Sequence, residues 1–458
     1  MIRFNLILIV ALLCVMPGSC EKLDQEQSKT TADVSDKTQV DMEENDNASS
    51  QPEAQNNQDE QSDYSFLTEN VPTTLSAENK TLLALSNSFA FRFASAVDRG
   101  MGTDSYFLSP MSLAFLLGMI SEGTAGNTRN EICNALGYSD NDQQSIDEFC
   151  RNLIYLSRTA SSGDELFDIA NMLVVNKNYS LLEEYREGVK NYYDADTVNK
   201  DFVSEDVADY INTWASEHTN GLIDEVMDVV PSNSMAVILN ALYFKAIWTH
   251  MFKENMTVSE DFTSASGSTR KEHMMHKKDI VHTIFYYKAS DYTAVKLPYG
   301  DPESELPGNY AMTILLPDAG FTTEQIVRSF TDDTWDRLQR SFERKYVDIK
   351  IPRFKIDFAA QLNDYLKSMG ITSIFSPLEA DFSLMTHDSK LAISLIKQFA
   401  SISVDENGTE AASVSVAKVE IIDSFERPQF VEFYADRPFL FAITEQTTGA
   451  ILFMGCYR

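Results

Sequence analysis

The chain has 458 residues, 69 acidic against 37 basic side chains and a formal net charge of −32. So acidic a surface disfavours nucleic acid and anionic lipid headgroups as direct partners, because both would be repelled. Five cysteines, two of them in the first 20 residues, are too few and too widely spaced for a disulfide framework or a zinc ribbon. Cys133, Cys150 and Cys456 therefore read as buried free thiols, with a Cys133–Cys150 bridge as the alternative.

Residues 1–20 have the make-up of a secretion leader. Arg3 supplies the positive end, and residues 6–16 form an apolar core too short to cross a bilayer comfortably. Gly18 and Ser19 precede Cys20. That order resembles a bacterial lipoprotein signal, although Pro17 stands where an aliphatic side chain is usual. The resemblance implies lipidation at Cys20 and a body exported across the inner membrane and anchored to an outer membrane or cell surface. Residues 21–73 are rich in Asp, Glu, Gln, Asn, Ser and Thr. They cannot bury enough apolar surface to offset chain entropy, and read as an acidic disordered tether. The folded body is expected over 74–458.

Within that body, residues 82–97 carry Leu82, Leu85, Phe89 and Phe93 at helical spacing. A short strand at 106–108 ends at Ser109-Pro110, and residues 111–121 form an almost wholly apolar, buried helix. Gly126 reads as a helix stop, with Asn127 or Thr128 capping the next helix. A further helix ends near Asn220-Gly221. Residues 235–248 are a strand with a large aromatic load in Tyr243, Phe244 and Trp248. His273-Met-Met-His276 falls in a strand, where positions three apart face opposite sides, so the two imidazoles diverge and a metal site is not expected. Strands follow at 295–299, 310–317 and 347–354. A helix at 361–369 stops at Gly370, and strands at 439–443 and 451–455 flank a turn at Thr447-Thr448-Gly449. No G-x-S-x-G, H-E-x-x-H, phosphate-cradling loop or dinucleotide fingerprint occurs, so neither an enzyme nor a cofactor is expected.

One stretch, 404–427, alternates with period two in its first part. Thr409, Ala411, Ser413, Ser415, Ala417, Val419 and Ile421 share one parity, all uncharged. Glu410, Ala412, Val414, Val416, Lys418 and Glu420 share the other. As a strand, the first face could enter a sheet without burying a charge. Gly408 stands where a backbone hinge would turn, and no proline intervenes before Pro428. Exposed loop in one state and central strand in another is one reading; an ordinary linker is the other.

The string N-G-T-E-A-A-S at 407–413 resembles the hinge of the serpin family. So do S-P-M-S-L-A at 109–114, E-G-T-A-G-N-T-R at 122–129, the strand ending at Trp248, and the D-R-P-F-L-F and L-F-M-G endings. The resemblance runs from about Ser86 to the C-terminus. It implies a single α+β serpin-like domain with three β-sheets, about eight or nine helices and an exposed reactive-centre loop. It implies a suicide-substrate inhibitor of serine proteases, a monomer that touches membrane only through its lipid. Glu406, Gly408, Thr409, Glu410, Ala411, Ala412 and Ser413 would form the hinge, with Trp248 and Asn240 where the sheet opens. Counting from Gly408 places the reactive bond between Ile422 and Asp423, suited to an elastase-like protease. The loop is a few residues longer than usual, so Phe425, suited to a chymotrypsin-like pocket, is the second candidate. A papain-like cysteine protease reading Ile421 is a third class of target. A non-inhibitory member acting as a surface binding module is the alternative function.

Overall fold

The computed structural model describes the backbone of residues 7–17, together with residues 74–458 apart from 139–141, 161–165, 204–205, 219–220, 222, 224, 280–283, 302–307, 388–390 and 410–428. Residues 1–18 and 70–458 form one unit, and residues 19–69 form another that lies outside the described residues. Cys20 and the proposed tether therefore lie outside them as well.

Three sheets and nine α-helices are formed among the described residues, as the α+β expectation required. The first sheet contains β1 (Ile7–Pro17), β3 (Leu166–Asn176), β4 (Ala195–Lys200), β5 (Ala236–Ile247), β13 (Phe354–Gln361), β14 (Leu391–Val404) and the two-residue β15 (Gly408–Thr409). Across it the order is β13, β14, β1, β5, β3, β4, with β15 joining β14 and β5 at one end. The second sheet runs from β11 (Glu343–Arg344) through β8 (Phe285–Lys288), β9 (Tyr292–Pro298), β10 (Tyr310–Pro317), β17 (Phe439–Glu445) and β18 (Ile451–Tyr457) to β2 (Tyr106–Leu108). The third is β16 (Val431–Tyr434), β12 (Val347–Pro352), β7 (Thr269–Asp279) and β6 (Val258–Thr263).

The helices are α1 (Ala77–Met101), α2 (Pro110–Glu122), α3 (Gly126–Leu136), α4 (Gln143–Ala160), α5 (Glu183–Tyr193), α6 (Val207–Glu217), α7 (Thr323–Ser329), α8 (Asp332–Ser341) and α9 (Asn363–Ser368). Their starts are set by local chemistry. Ser76 and Ser109 accept from the backbone N–H three residues on, Pro110 opens α2, and Thr322 and Thr331 form capping boxes. Apart from its last residue, α2 is buried throughout, as its continuous apolar run requires.

Strand β5 is buried on both faces, and alternation divides it. Ile238, Leu242, Phe244 and Ala246 enter the main core beneath α2, whereas Val237, Leu239 and Ala241 pack with Ile211 and Trp214 of α6 in a second cluster. Both clusters together bury the central sheet between helical layers.

Three local expectations are corrected. Gly126 does not stop a helix: α2 ends at Glu122, where the Gly123 N–H reaches the carbonyls of Ile120 and Ser121, and Gly126 opens α3. Neither Asn127 nor Thr128 caps α3; the Thr128 hydroxyl accepts instead from the Asp381 N–H at 2.9 Å. The single strand expected at 347–354 is two. β12 and β13 belong to different sheets, and the chain changes sheet at Arg353, whose N–H bonds to His273 O at 2.8 Å. Cys133, Cys150 and Cys456 are buried and free, so the alternative bridge is not formed.

The apolar run at 7–17, read from sequence only as a leader, is a central strand. It pairs antiparallel with β5 from Ile7↔Phe244 to Val15↔Ala236, and with β14 from Leu8↔Ser401 to Pro17↔Leu391. Strands β5 and β14 present two facing rows of backbone groups. A proline-free run of Ile, Val and Leu ending at Met16 satisfies both rows at once.

Candidate functional site

The site is the slot between β5 and β14 and the hinge at its upper end. Gly408 pairs with Ile247 and Thr409 with Ala246 on β5, and Thr409 also meets Val404 on β14. Gly408 has φ +155°, and a Cβ there would lie 2.4 Å from Ala246 O and 2.7 Å from Ile247 Cα. Only glycine fits that backbone and that approach. Thr409 is fully buried, and its hydroxyl shares a 2.6 Å hydrogen bond with the Tyr299 phenol.

The turn that delivers the hinge is held by Asp405 and Glu406. Asp405 Oδ1 accepts from the N–H groups of Asn407 at 2.8 Å and Gly408 at 3.3 Å, an Asx turn. Burial raises the Asp405 carboxyl above its ordinary value in spite of those two donors. Glu406 is buried to 2% exposure and meets Arg353 Nη2 at 2.5 Å and the Thr257 hydroxyl. Burial pushes its pKa up, but the Arg353 guanidinium and the Thr257 hydroxyl together hold it below the ordinary carboxylate value.

Trp248 closes this end. Its Nε1 donates to Asp405 O at 3.0 Å, its backbone N–H to Asn407 O at 2.8 Å, and its ring stacks on Tyr299 at 4.4 Å between centroids. Near the middle of the slot, Asn240 is fully buried. It donates to Asn171 Oδ1 at 2.7 Å and accepts from the Ser112 hydroxyl of α2. Facing it across the slot, Gln398 of β14 donates to Ser109 O at 2.9 Å.

The structure thus brings Glu406, Gly408, Thr409 and Trp248 together and places Asn240 farther along the same slot. Glu410, Ala411, Ala412, Ser413, Ile422, Asp423 and Phe425 lie outside the described residues. Sequence reasoning missed Tyr299, Arg353, Thr257 and Gln398. Gln398 carried a signal: the inward parity of β14 reads Ile396, Gln398, Ala400, Ile402, Val404, with one polar residue among apolar ones.

His276 Nε2 lies 2.7 Å from Asp348 Oδ1, and the two intervening methionines, Met274 and Met275, are buried. The His-Met-Met-His string therefore belongs to the packing of the third sheet.

The family model described as serpin (serine protease inhibitor) matches residues 84–458. A serpin-like protein of Methanosarcina acetivorans is 33% identical, over 83% of this chain and 87% of its own length. Serpin-Z2B of Triticum aestivum is 31% identical over 84% and 98%. Among solved structures, the thermophilic serpin tengpin in its native state matches with TM-score 0.73 at 23% identity, covering 84% of this chain and 96% of its own. Human thyroxine-binding globulin complexed with thyroxine matches with TM-score 0.71 at 26% identity, covering 83% and 98%. The family match runs from within α1 to the last strand, and the chain belongs to the serpin family, whose members are generally protease inhibitors.

Proposed function

We propose that the chain is a suicide-substrate inhibitor of serine endopeptidases. The protease serine Oγ attacks the carbonyl of the bait residue, the peptide C–N bond breaks, and the new amine leaves with a proton. The bait stays esterified to the protease. The freed strand then enters the slot and carries the acyl-enzyme with it before water can cleave the ester.

The observation that carries this reading is the paired hinge. Thr409 is already seated between β5 and β14, with Gly408 making the turn, and the uncharged parity follows directly behind it. Occupation of the slot by β1, paired along both sides, further supports a sheet able to take one more strand. Each ladder hydrogen bond contributes about 1 kcal/mol net, and buried apolar area about 25 cal/mol per Å². With about a dozen residues inserting, the release is on the order of tens of kcal/mol. Even about 4 kcal/mol slows deacylation roughly a thousandfold. The uncut form is then kinetically rather than thermodynamically stable.

The bond Ile422–Asp423 suits an elastase-like protease, Phe425 a chymotrypsin-like one, and Ile421 a papain-like cysteine protease. Lipidation at Cys20 would hold the inhibitor at a membrane surface on the 21–73 tether, facing proteases outside the cell. The test is a protease panel read on denaturing gels, with the released C-terminal fragment weighed. An SDS-stable complex and a cleaved form of raised thermal stability are expected. Cleavage with turnover and no stabilisation would reject the reading.

A binding-module reading is favoured by one feature, a cleft of about 390 Å³ lined by Arg92, Arg99, Arg328, Phe91, Phe330 and Met369. Equilibrium binding of amphipathic carboxylates there, with no protease complex, would prefer it.

A further inference from the structure

The cleft of about 390 Å³ between α1, α3, α7 and α9 stands apart from the slot, since none of the slot's strands lines it. Arg92, Arg99 and Arg328 line it, and no carboxylate does. In a chain with 69 acidic against 37 basic side chains, that is a local reversal of sign. Phe91, Val327 and Met369 give the same cleft an apolar floor.

The fold engages these arginines only lightly. Arg92 Nη2 donates to Ala135 O at 2.7 Å, the ordinary task of a basic side chain at the end of a helix. No carboxylate meets it, and burial lowers its pKa unopposed. Arg99 lies about two turns farther along the same face of α1. It makes no hydrogen bond or ion pair among the described residues. Arg328 meets Glu324 at 3.3 Å in an exposed pair within α7, an arrangement that contributes little. Three guanidiniums with donors to spare thus border one apolar floor.

We propose that this cleft is a binding site for a small amphipathic anion: its carboxylate or phosphate seats among Arg92, Arg99 and Arg328, and its apolar part covers Phe91, Val327 and Met369. The planar guanidinium fork matches either head group with paired hydrogen bonds. A cleft of this volume takes a ligand of drug size. An inorganic anion has no use for the floor, and a neutral apolar molecule has none for the arginines, so tight binding needs both halves. The proposal rests on the cleft of the binding-module reading above and not on loop insertion, so a chain that binds such anions and also traps a protease satisfies it.

The experiment is calorimetric titration of the full chain with naphthoate and naphthyl phosphate, against inorganic phosphate and naphthalenemethanol. Both naphthyl anions should bind, and the tighter of the two tells a carboxylate source from a phosphate one. Inorganic phosphate and the neutral alcohol should bind at least about tenfold more weakly. Arg99→Ala and Arg328→Ala should each lower the affinity for the tighter anion about tenfold, the scale of one charge-assisted hydrogen bond. Both variants should melt close to wild type, because neither side chain holds the fold together. Arg344→Ala, which removes an exposed arginine lying over Phe285 in the second sheet, should leave the affinity unchanged. The neutral alcohol bound as tightly as the anions, wild-type affinity in both cleft variants, or an equal loss in Arg344→Ala overturns the proposal. No binding of either anion at millimolar concentration overturns it too and removes the binding-module reading, while the protease panel still decides inhibition separately.

Discussion

The Tyr299 phenol and the Thr409 hydroxyl share a 2.6 Å hydrogen bond, and both side chains are fully buried. On the proposed mechanism, the bond would seat the first inward residue of the inserting parity before any cut is made. A charged side chain here would have to leave water without a partner. Thr409→Arg is therefore expected to turn inhibitor into substrate. The moles of inhibitor consumed per protease should rise at least about tenfold. Titration of residual protease activity reads this directly, and an unchanged stoichiometry would show that the uncharged face is irrelevant.

Gly408 is expected to be the least replaceable hinge position. Its φ of +155° and the 2.4 Å approach of Ala246 O leave no room for a methyl group. Gly408→Ala should cost about 1–3 kcal/mol, the scale of one strained backbone position. The cost should show as a lower melting temperature of the intact form and slower complex formation with protease. A variant matching wild type in both would mean that the hinge turns elsewhere.

Much of this could be read from the sequence because the residues that matter signal through local rules. Gly408, the buried helix α2 and the aromatic strand β5 all announce themselves by period and composition. What stayed hidden depends on partners distant in sequence. Arg353 became the mate of Glu406 only because the chain changes sheets there, a break masked by clean alternation across 347–354. Tyr299 lies 110 positions before Thr409, and no spacing rule links them. Residues 7–17 were legible as apolar but not as a strand, because the period that marks a leader core is also compatible with a fully buried strand.

A second pair of carboxyls makes a pH prediction. Asp147 of α4 accepts from the Tyr193 phenol and from Gln143 Nε2, both at 2.7 Å. Burial raises its pKa, the nearby Glu122 carboxyl raises it further, and together they outweigh these two donors to push it up to about 8. The folded form thus keeps a proton that the unfolded chain sheds above the ordinary Asp value. Its stabilising contribution is complete at low pH and is lost as pH rises toward 8. Asp147→Asn should flatten that decline and melt higher than wild type at pH 8 to 9, with little difference near pH 4. A wild-type melting temperature that is level between pH 5 and 8 would contradict the assignment.

If the loop inserts as proposed, strand β1 and the loop would compete for one space. Along the hinge register, residues 411–419 would pair with β5 from Phe244 to Ala236, the positions now held by Ile7 to Val15. Insertion in the full-length chain therefore requires β1 to leave. Proline at Leu12, which is paired with Leu239 and Lys397, removes a ladder donor from the centre of β1 and weakens its hold on both neighbours. Leu12→Pro should form the protease complex faster than the unaltered full-length chain and approach the rate of a chain that begins at Cys20. The intact Leu12→Pro form should also melt lower, because the slot is less securely filled. Equal complex-formation rates in all three would mean that β1 vacates the slot without cost, and that the hinge alone sets the pace of insertion.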